Sequence, residues 1–150
     1  MPIYYLETSA LVKLYVREPG TDRLLQLASR SSDSRLVILS LAQVEFRSAV
    51  RRRERNGEIP AAVATGLLEA FGRHLQTKFA IQVITDFVLD IAVALVDRHA
   101  LRAFDAMQLA GYFALKATTS SAESPVFVCS DQALLAAAEG EGAATLNPSS

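Results

Sequence analysis

The run Ile3-Tyr4-Tyr5-Leu6-Glu7-Thr8-Ser9-Ala10-Leu11-Val12-Lys13 decides the fold. Its first four residues are three β-formers and a leucine, the composition of a strand buried on both faces. Thr8 or Ser9 then offers a side-chain oxygen to cap a short helix that continues through Lys13. Glu7 is thereby placed at the carboxyl end of a strand, the edge at which open parallel α/β sheets bind their ligands.

The pattern repeats outward from that stretch. Leu36-Val37-Ile38-Leu39, residues 79–84 and residues 126–129 read as three more strands. Helices are predicted between them. One is capped by Thr21 and runs to about residue 29, and one opens with Ser40 and Gln43 as a capping box and ends near Gly57. Others run from Pro60 to about residue 76, from Thr85 to Arg98, over residues 103–116, and from Asp131 to a stop at Gly140. Residues 31–34 read as a polar loop, 117–124 as a Ser/Thr-rich loop and 147–150 as a loose tail. Strands separated by helices imply parallel pairing with helical crossovers. The expected fold is a three-layer α/β/α sandwich with a central, mostly parallel sheet, built as a single domain over residues 1–150.

Apolar residues make up 51% and charged residues 21% of the chain, which excludes a disordered protein. No run of about 18 uncharged apolar residues is present, so no membrane span is expected. The Met1-Pro2-Ile3 start lacks the basic and apolar regions of a secretory signal, so the expected location is the cytoplasm. The single cysteine, Cys129, lies in an apolar run and reads as a small buried hydrophobe. His74 and His99 have no partner at zinc-ligand spacing. Net charge is −1, but Arg47, Arg51, Arg52, Arg53 and Arg55 crowd into one stretch. Such a run is a solvated helix face or a phosphate contact. Arg47 and Arg51, four residues apart, share a helix face.

Three further acids stand where acids are costly. Glu45 has Leu41, Ala42, Phe46 and Ala49 as helical neighbours, so it points with the apolar stripe. Asp105 is the one acid in an apolar run and lies one turn from a helix start, where the dipole favours an anion. Asp131 follows a buried strand directly, as Glu7 does, and is also placed to cap a helix. Two acids at strand ends and two on helices opening near that edge would repel one another unless a cation joined them. Oxygen-only ligands point to Mg²⁺ or Mn²⁺ and to phosphoryl chemistry.

Tyr5-Leu6-Glu7-Thr8-Ser9-Ala10-Leu11-Val12-Lys13, Gln43-Val44-Glu45-Phe46, Leu101-Arg102-Ala103-Phe104-Asp105-Ala106-Met107-Gln108-Leu109-Ala110 and Phe127-Val128-Cys129-Ser130-Asp131, in that order and spacing, resemble the PIN domains, and among them the VapC-type toxins. The resemblance implies metal-dependent RNA cleavage. It implies an acidic cluster of Glu7, Glu45, Asp105 and Asp131, with Glu7 and Asp105 as primary ligands to Mg²⁺ or Mn²⁺, Asp131 beside them and Ser9 helping to hold metal-bound water. It extends the phosphate reading of Arg47 and Arg51 to RNA. It also implies a homodimer and a small antitoxin partner seated in a groove lined around Leu11, Leu24 and Leu67. Glu7 is a departure, because the family carries aspartate at that position. The longer acid keeps the charge but displaces it by roughly a bond length, a shift of the size that can cost ~10²-fold in rate. A PIN-fold module that binds its partner with weakened chemistry is the alternative reading.

Overall fold

The computed structural model describes residues 2–30 and 34–150. Among them, five strands form one parallel sheet in the order β3-β2-β1-β4-β5. They are β1 (Ile3–Leu6), β2 (Arg35–Leu39), β3 (Phe79–Gln82), β4 (Val126–Val128) and β5 (Ala144–Leu146). The helices are α1 (Thr8–Lys13), α2 (Thr21–Ser29), α3 (Ala42–Arg55), α4 (Ala61–Thr77), α5 (Asp86–Arg98), α6 (Ala103–Thr118) and α7 (Gln132–Gly140). None is long and apolar enough to cross a membrane.

Successive side chains of a strand face opposite ways, and this divides the core in two. Ile3, Tyr5, Val37, Leu39 and Phe127 pack against α5, α6 and α7. Leu6, Leu36, Ile38 and Val128 pack against α1 to α4. The result is the three-layer α/β/α sandwich, with the sheet buried on both faces. The strand order reverses at β1, whose neighbours are β2 on one side and β4 on the other. Ligand crevices of open α/β sheets form at such a switch point, above the carboxyl ends of the strands. Glu7 follows β1 and Asp131 follows β4, so the two acids flank it.

Several local expectations change. The fifth strand, β5, is three residues long and carries too little pattern to stand out in the sequence; it pairs with β4. The tail beyond it is tied down: Arg23 donates to the carbonyls of Asn147 and Ser150 at 3.3 and 3.0 Å, and Ser149 donates to the Pro19 carbonyl at 3.0 Å. Gly20, with φ +98°, lies under this tail, where a Cβ would come within 2.9 Å of the Pro148 backbone. Gly20 is also the cap of α2, while Thr21 instead spends its hydroxyl on the Lys13 carbonyl at 2.8 Å. The Ser40/Gln43 capping box does not form. Ser40 prolongs the sheet by donating its N–H to the Gln82 carbonyl, and α3 starts two residues later without a side-chain cap. Residues 31–33 of the expected polar loop lie outside the described residues. Leu11 and Leu24 are buried in the core and cannot line a partner groove, leaving Leu67 half-buried on α4.

One close contact yields a stability test. Gly111 on α6 abuts the Tyr5 hydroxyl and a Leu39 methyl, and a Cβ there would overlap both. Alanine gains about 1 kcal/mol of helix propensity, whereas overpacking a core costs ~1–3 kcal/mol. Gly111→Ala is therefore expected to lower the urea midpoint, since Tyr5 and Leu39 are both fully buried and have nowhere to retreat. An unchanged midpoint would show that the tyrosine ring moves aside without cost.

Candidate active site

Glu7 is 5% exposed and caps α1 with its own side chain. Its Oε2 accepts the Ser9 backbone N–H at 3.0 Å and a hydrogen bond from the Ser9 hydroxyl. That hydroxyl accepts the Ser130 N–H at 3.0 Å, so Ser9 links the Glu7 carboxylate to the loop carrying Asp131. The residue expected to hold water thus holds Glu7. Burial pushes the Glu7 carboxyl up to about 7, against hydrogen bonds from Ser9 and Cys129 and with a further push from Glu45.

Glu45, on the first turn of α3, is half-buried rather than enclosed. Its Oε1 accepts from the Thr8 hydroxyl at 2.8 Å and from the Gln108 amide at 2.6 Å. Gln108 is fully buried, and the Tyr5 hydroxyl donates to its backbone carbonyl at 2.6 Å. A chain from the centre of β1 through α6 therefore fixes how the Glu45 carboxylate is turned. Asp105 sits half-buried on the first turn of α6. Burial raises its carboxyl above the ordinary value, the charge of Asp131 adds to this, and Arg102 opposes it. Asp131 is exposed and accepts the Leu134 N–H at 3.0 Å, capping α7.

Glu7, Ser9, Glu45, Asp105 and Asp131 all line one cleft of about 940 Å³. Among the described residues, no three His, Cys, Asp or Glu side chains stand close enough to form a ready-made metal cage. The donors nevertheless fit a hard cation. They are oxygens alone, one is buried with its proton affinity raised, and Mg²⁺ characteristically keeps several waters and uses one or two carboxylates.

The cleft also has a cationic side. Lys13 is buried and lies 3.3 Å from Glu18, and Arg53 reaches the other Glu18 oxygen at 2.7 Å. Burial pushes the Glu18 carboxyl up, but Arg53 and Lys13 together outweigh it and hold it below the ordinary range. Arg52 lines the same wall and is exposed. Arg47 and Arg51 do not line it; Arg47 is exposed elsewhere and Arg51 pairs with Glu54 at 2.8 Å. Helix geometry explains the difference. At about 100° per residue, Arg47 and Arg51 lie roughly 200° and 240° round from Glu45, whereas Arg52 returns to within about 20° of it.

The sequence profile of the PIN domain matches residues 4–119, most of the chain. The chain belongs to the PIN-domain family. No curated protein matches the sequence. Among solved structures, this PIN domain is similar to a toxin–antitoxin complex from Klebsiella pneumoniae, at 15% identity and a TM-score of 0.64 over 97% of each chain. It is similar to VapBC2 from Rickettsia felis, solved bound to a DNA fragment from their promoter, at 13% identity and 0.64 over 97% of this chain and 98% of that one. FitAcB from Neisseria gonorrhoeae gives 14% identity and 0.58 over 97% of each. At these identities the likeness is one of fold.

Four contributors to the site of this PIN domain escape the pattern of acids: Thr8, Gln108, Lys13 and Glu18. Gln108 carries a faint signal, because it stands three residues after Asp105 in an apolar helix and so shares its face. Lys13 and Glu18 are joined across a turn, and nothing in their spacing announces it.

Proposed function

We propose that this PIN domain is a ribonuclease dependent on Mg²⁺ or Mn²⁺ and the toxin of a toxin–antitoxin pair. The observation that carries the reading is the gathering of Glu7, Glu45, Asp105 and Asp131 along one cleft at the switch point of the sheet. Glu7, Asp105 and Asp131 would hold the cation. When bound, it supplies a more acidic water and stabilises charge on phosphate and leaving oxygens. The protein's own part is positioning. Ser9 and the start of α1 fix Glu7, and Thr8 and Gln108 fix Glu45 through a single oxygen. Lys13, Arg52 and Arg53 bring positive charge to the same cleft, which suits a phosphodiester chain.

The partners belong to the same proposal: RNA as substrate, a small antitoxin protein, a second copy of the chain, and the cytoplasm as location. The likeness to the toxin–antitoxin complex from Klebsiella pneumoniae supports the antitoxin. A binding module with weakened chemistry is the second reading, favoured by the glutamate at position 7 and its buried, proton-retaining carboxyl.

The test is cleavage of mixed RNAs by purified protein in Mg²⁺, in Mn²⁺ and in chelator. Cleavage is expected only with metal, and Asp105→Asn is expected to reduce it by at least ~100-fold while leaving the fold and antitoxin binding intact. Antitoxin binding without metal-dependent cleavage would establish the second reading.

A further inference from the structure

Gln108 is a fully buried amide in an otherwise apolar stretch of α6, where a methionine would fill the same space without the cost of desolvating polar atoms. The placement of its hydrogens accounts for it. An amide nitrogen has two hydrogens to donate and accepts none. One goes to the Thr8 hydroxyl at 3.1 Å and the other to Glu45 Oε1 at 2.6 Å. Thr8, having accepted there, spends its own hydrogen on the same Oε1 at 2.8 Å. Two donors fill Oε1, and among the described residues no donor reaches Oε2. Glu45 lines the cleft, so Oε2 is the oxygen it offers there.

The amide is itself seated from the core. The Tyr5 hydroxyl donates to the Gln108 backbone carbonyl at 2.6 Å and lies 3.4 Å from the amide oxygen. The oxygen end of the amide therefore faces Tyr5 and the nitrogen end faces Glu45. Gly111, one turn on, leaves the room that the hydroxyl needs. The Tyr5 ring is held in turn, stacked with Phe127 at 5.9 Å and edge-on to Tyr112 at 6.0 Å. Building on the ribonuclease reading, we propose that Gln108, seated by Tyr5, is a positioning residue that commits Glu45 to the reaction through Oε2 alone, aimed at the attacking water. Thr8 by itself would leave the carboxylate hinged on one hydrogen bond, and the second donor removes that freedom. A single acceptor at a fixed angle is what orientation of a small nucleophile requires.

The experiment measures kcat and KM for cleavage of labelled RNAs of mixed sequence in Mn²⁺, and Mn²⁺ affinity separately by isothermal titration without RNA. Gln108→Met keeps the size of the side chain and removes both donors. It is expected to lower kcat by about 30-fold, with KM and the Mn²⁺ Kd within about 2-fold of the parent. Tyr5→Phe, which deletes one oxygen, is expected to lower kcat by about 5-fold in the same pattern. In a Glu45→Ala background, Gln108→Met is expected to cost less than about 2-fold more, because nothing is left for it to position. An unchanged kcat for either single variant overturns the proposal. A Mn²⁺ Kd that rises as kcat falls also overturns it, since α6 would then have carried Asp105 out of place. A full further loss in the Glu45→Ala background does the same, being the mark of a structural role. Each of these outcomes leaves the nuclease standing. If the parent cuts none of the RNAs, the ribonuclease reading falls and this inference falls with it.

Discussion

In chelator, the protein is expected to lose up to ~3 kcal/mol of stability as the pH rises from about 4.5 to about 7, and Glu7→Gln is expected to abolish most of that loss. The ordinary value for the carboxyl is 4.5, and burial lifts it to about 7 in the folded chain. Between those values the folded protein keeps a proton that the unfolded chain has released, so stability falls with rising pH across that window and levels off above it. Asp105, also raised by burial, contributes in the same direction. Comparing the pH dependence of parent and variant cancels the cost of burying an amide, which is the same at every pH. Urea midpoints across the range make the measurement, and identical slopes for the two proteins would show that Glu7 is not the group retaining the proton. The same substitution is expected to reduce RNA cleavage by at least ~100-fold, since it removes a charge at nearly constant shape. Glu7→Asp is expected to slow cleavage as well. The Ser9 N–H and hydroxyl both close on Glu7 Oε2, and Ser130 holds Ser9 in turn, so the pocket is fitted to the longer acid. A faster Glu7→Asp protein would instead mark Glu7 as a misplaced ligand.

Divalent cation is expected to reverse that loss. A ligand at about 100 times its Kd stabilises the folded state by about 2.7 kcal/mol, which for a chain of this size raises Tm by roughly 5–10 °C. The effect has a specific source here, because the cation would neutralise the repulsion between Asp105 and Asp131 and draw the proton from Glu7. Thermal scans in Mg²⁺ or Mn²⁺ against chelator measure it. Asp105→Asn is expected to shrink the shift by at least half while raising the baseline Tm in chelator, since it removes a repelled charge. A shift equal in parent and Asp105→Asn would place the cation elsewhere and remove the metal-site proposal. No shift at all would favour the binding-module reading.

The layers, the parallel sheet and the four acids at one edge follow from residue order, because each rests on local chemistry. A buried strand reads as an apolar run, Glu7 and Asp131 follow such runs directly, and an acid on an apolar helix face is conspicuous wherever that helix finally packs. The strand order did not follow, since β1 pairs with β4 across about 120 residues and short β5 takes its place in the sheet by pairing with β4. What surrounds the acids was likewise settled by packing. Glu45 meets Gln108 across 63 positions, and Ser9 meets Ser130 across 121. The arginines show the boundary most clearly. Their abundance was plain, but which of them face the cleft depended on the rotation of α3 set by burying Phe46 and Val50, and that rotation turned Arg52 and Arg53 inward and Arg47 away. Composition and spacing determine which groups a chain has to offer, whereas a site requires groups distant in sequence to be fixed within hydrogen-bond reach, and only the closed core supplies that constraint.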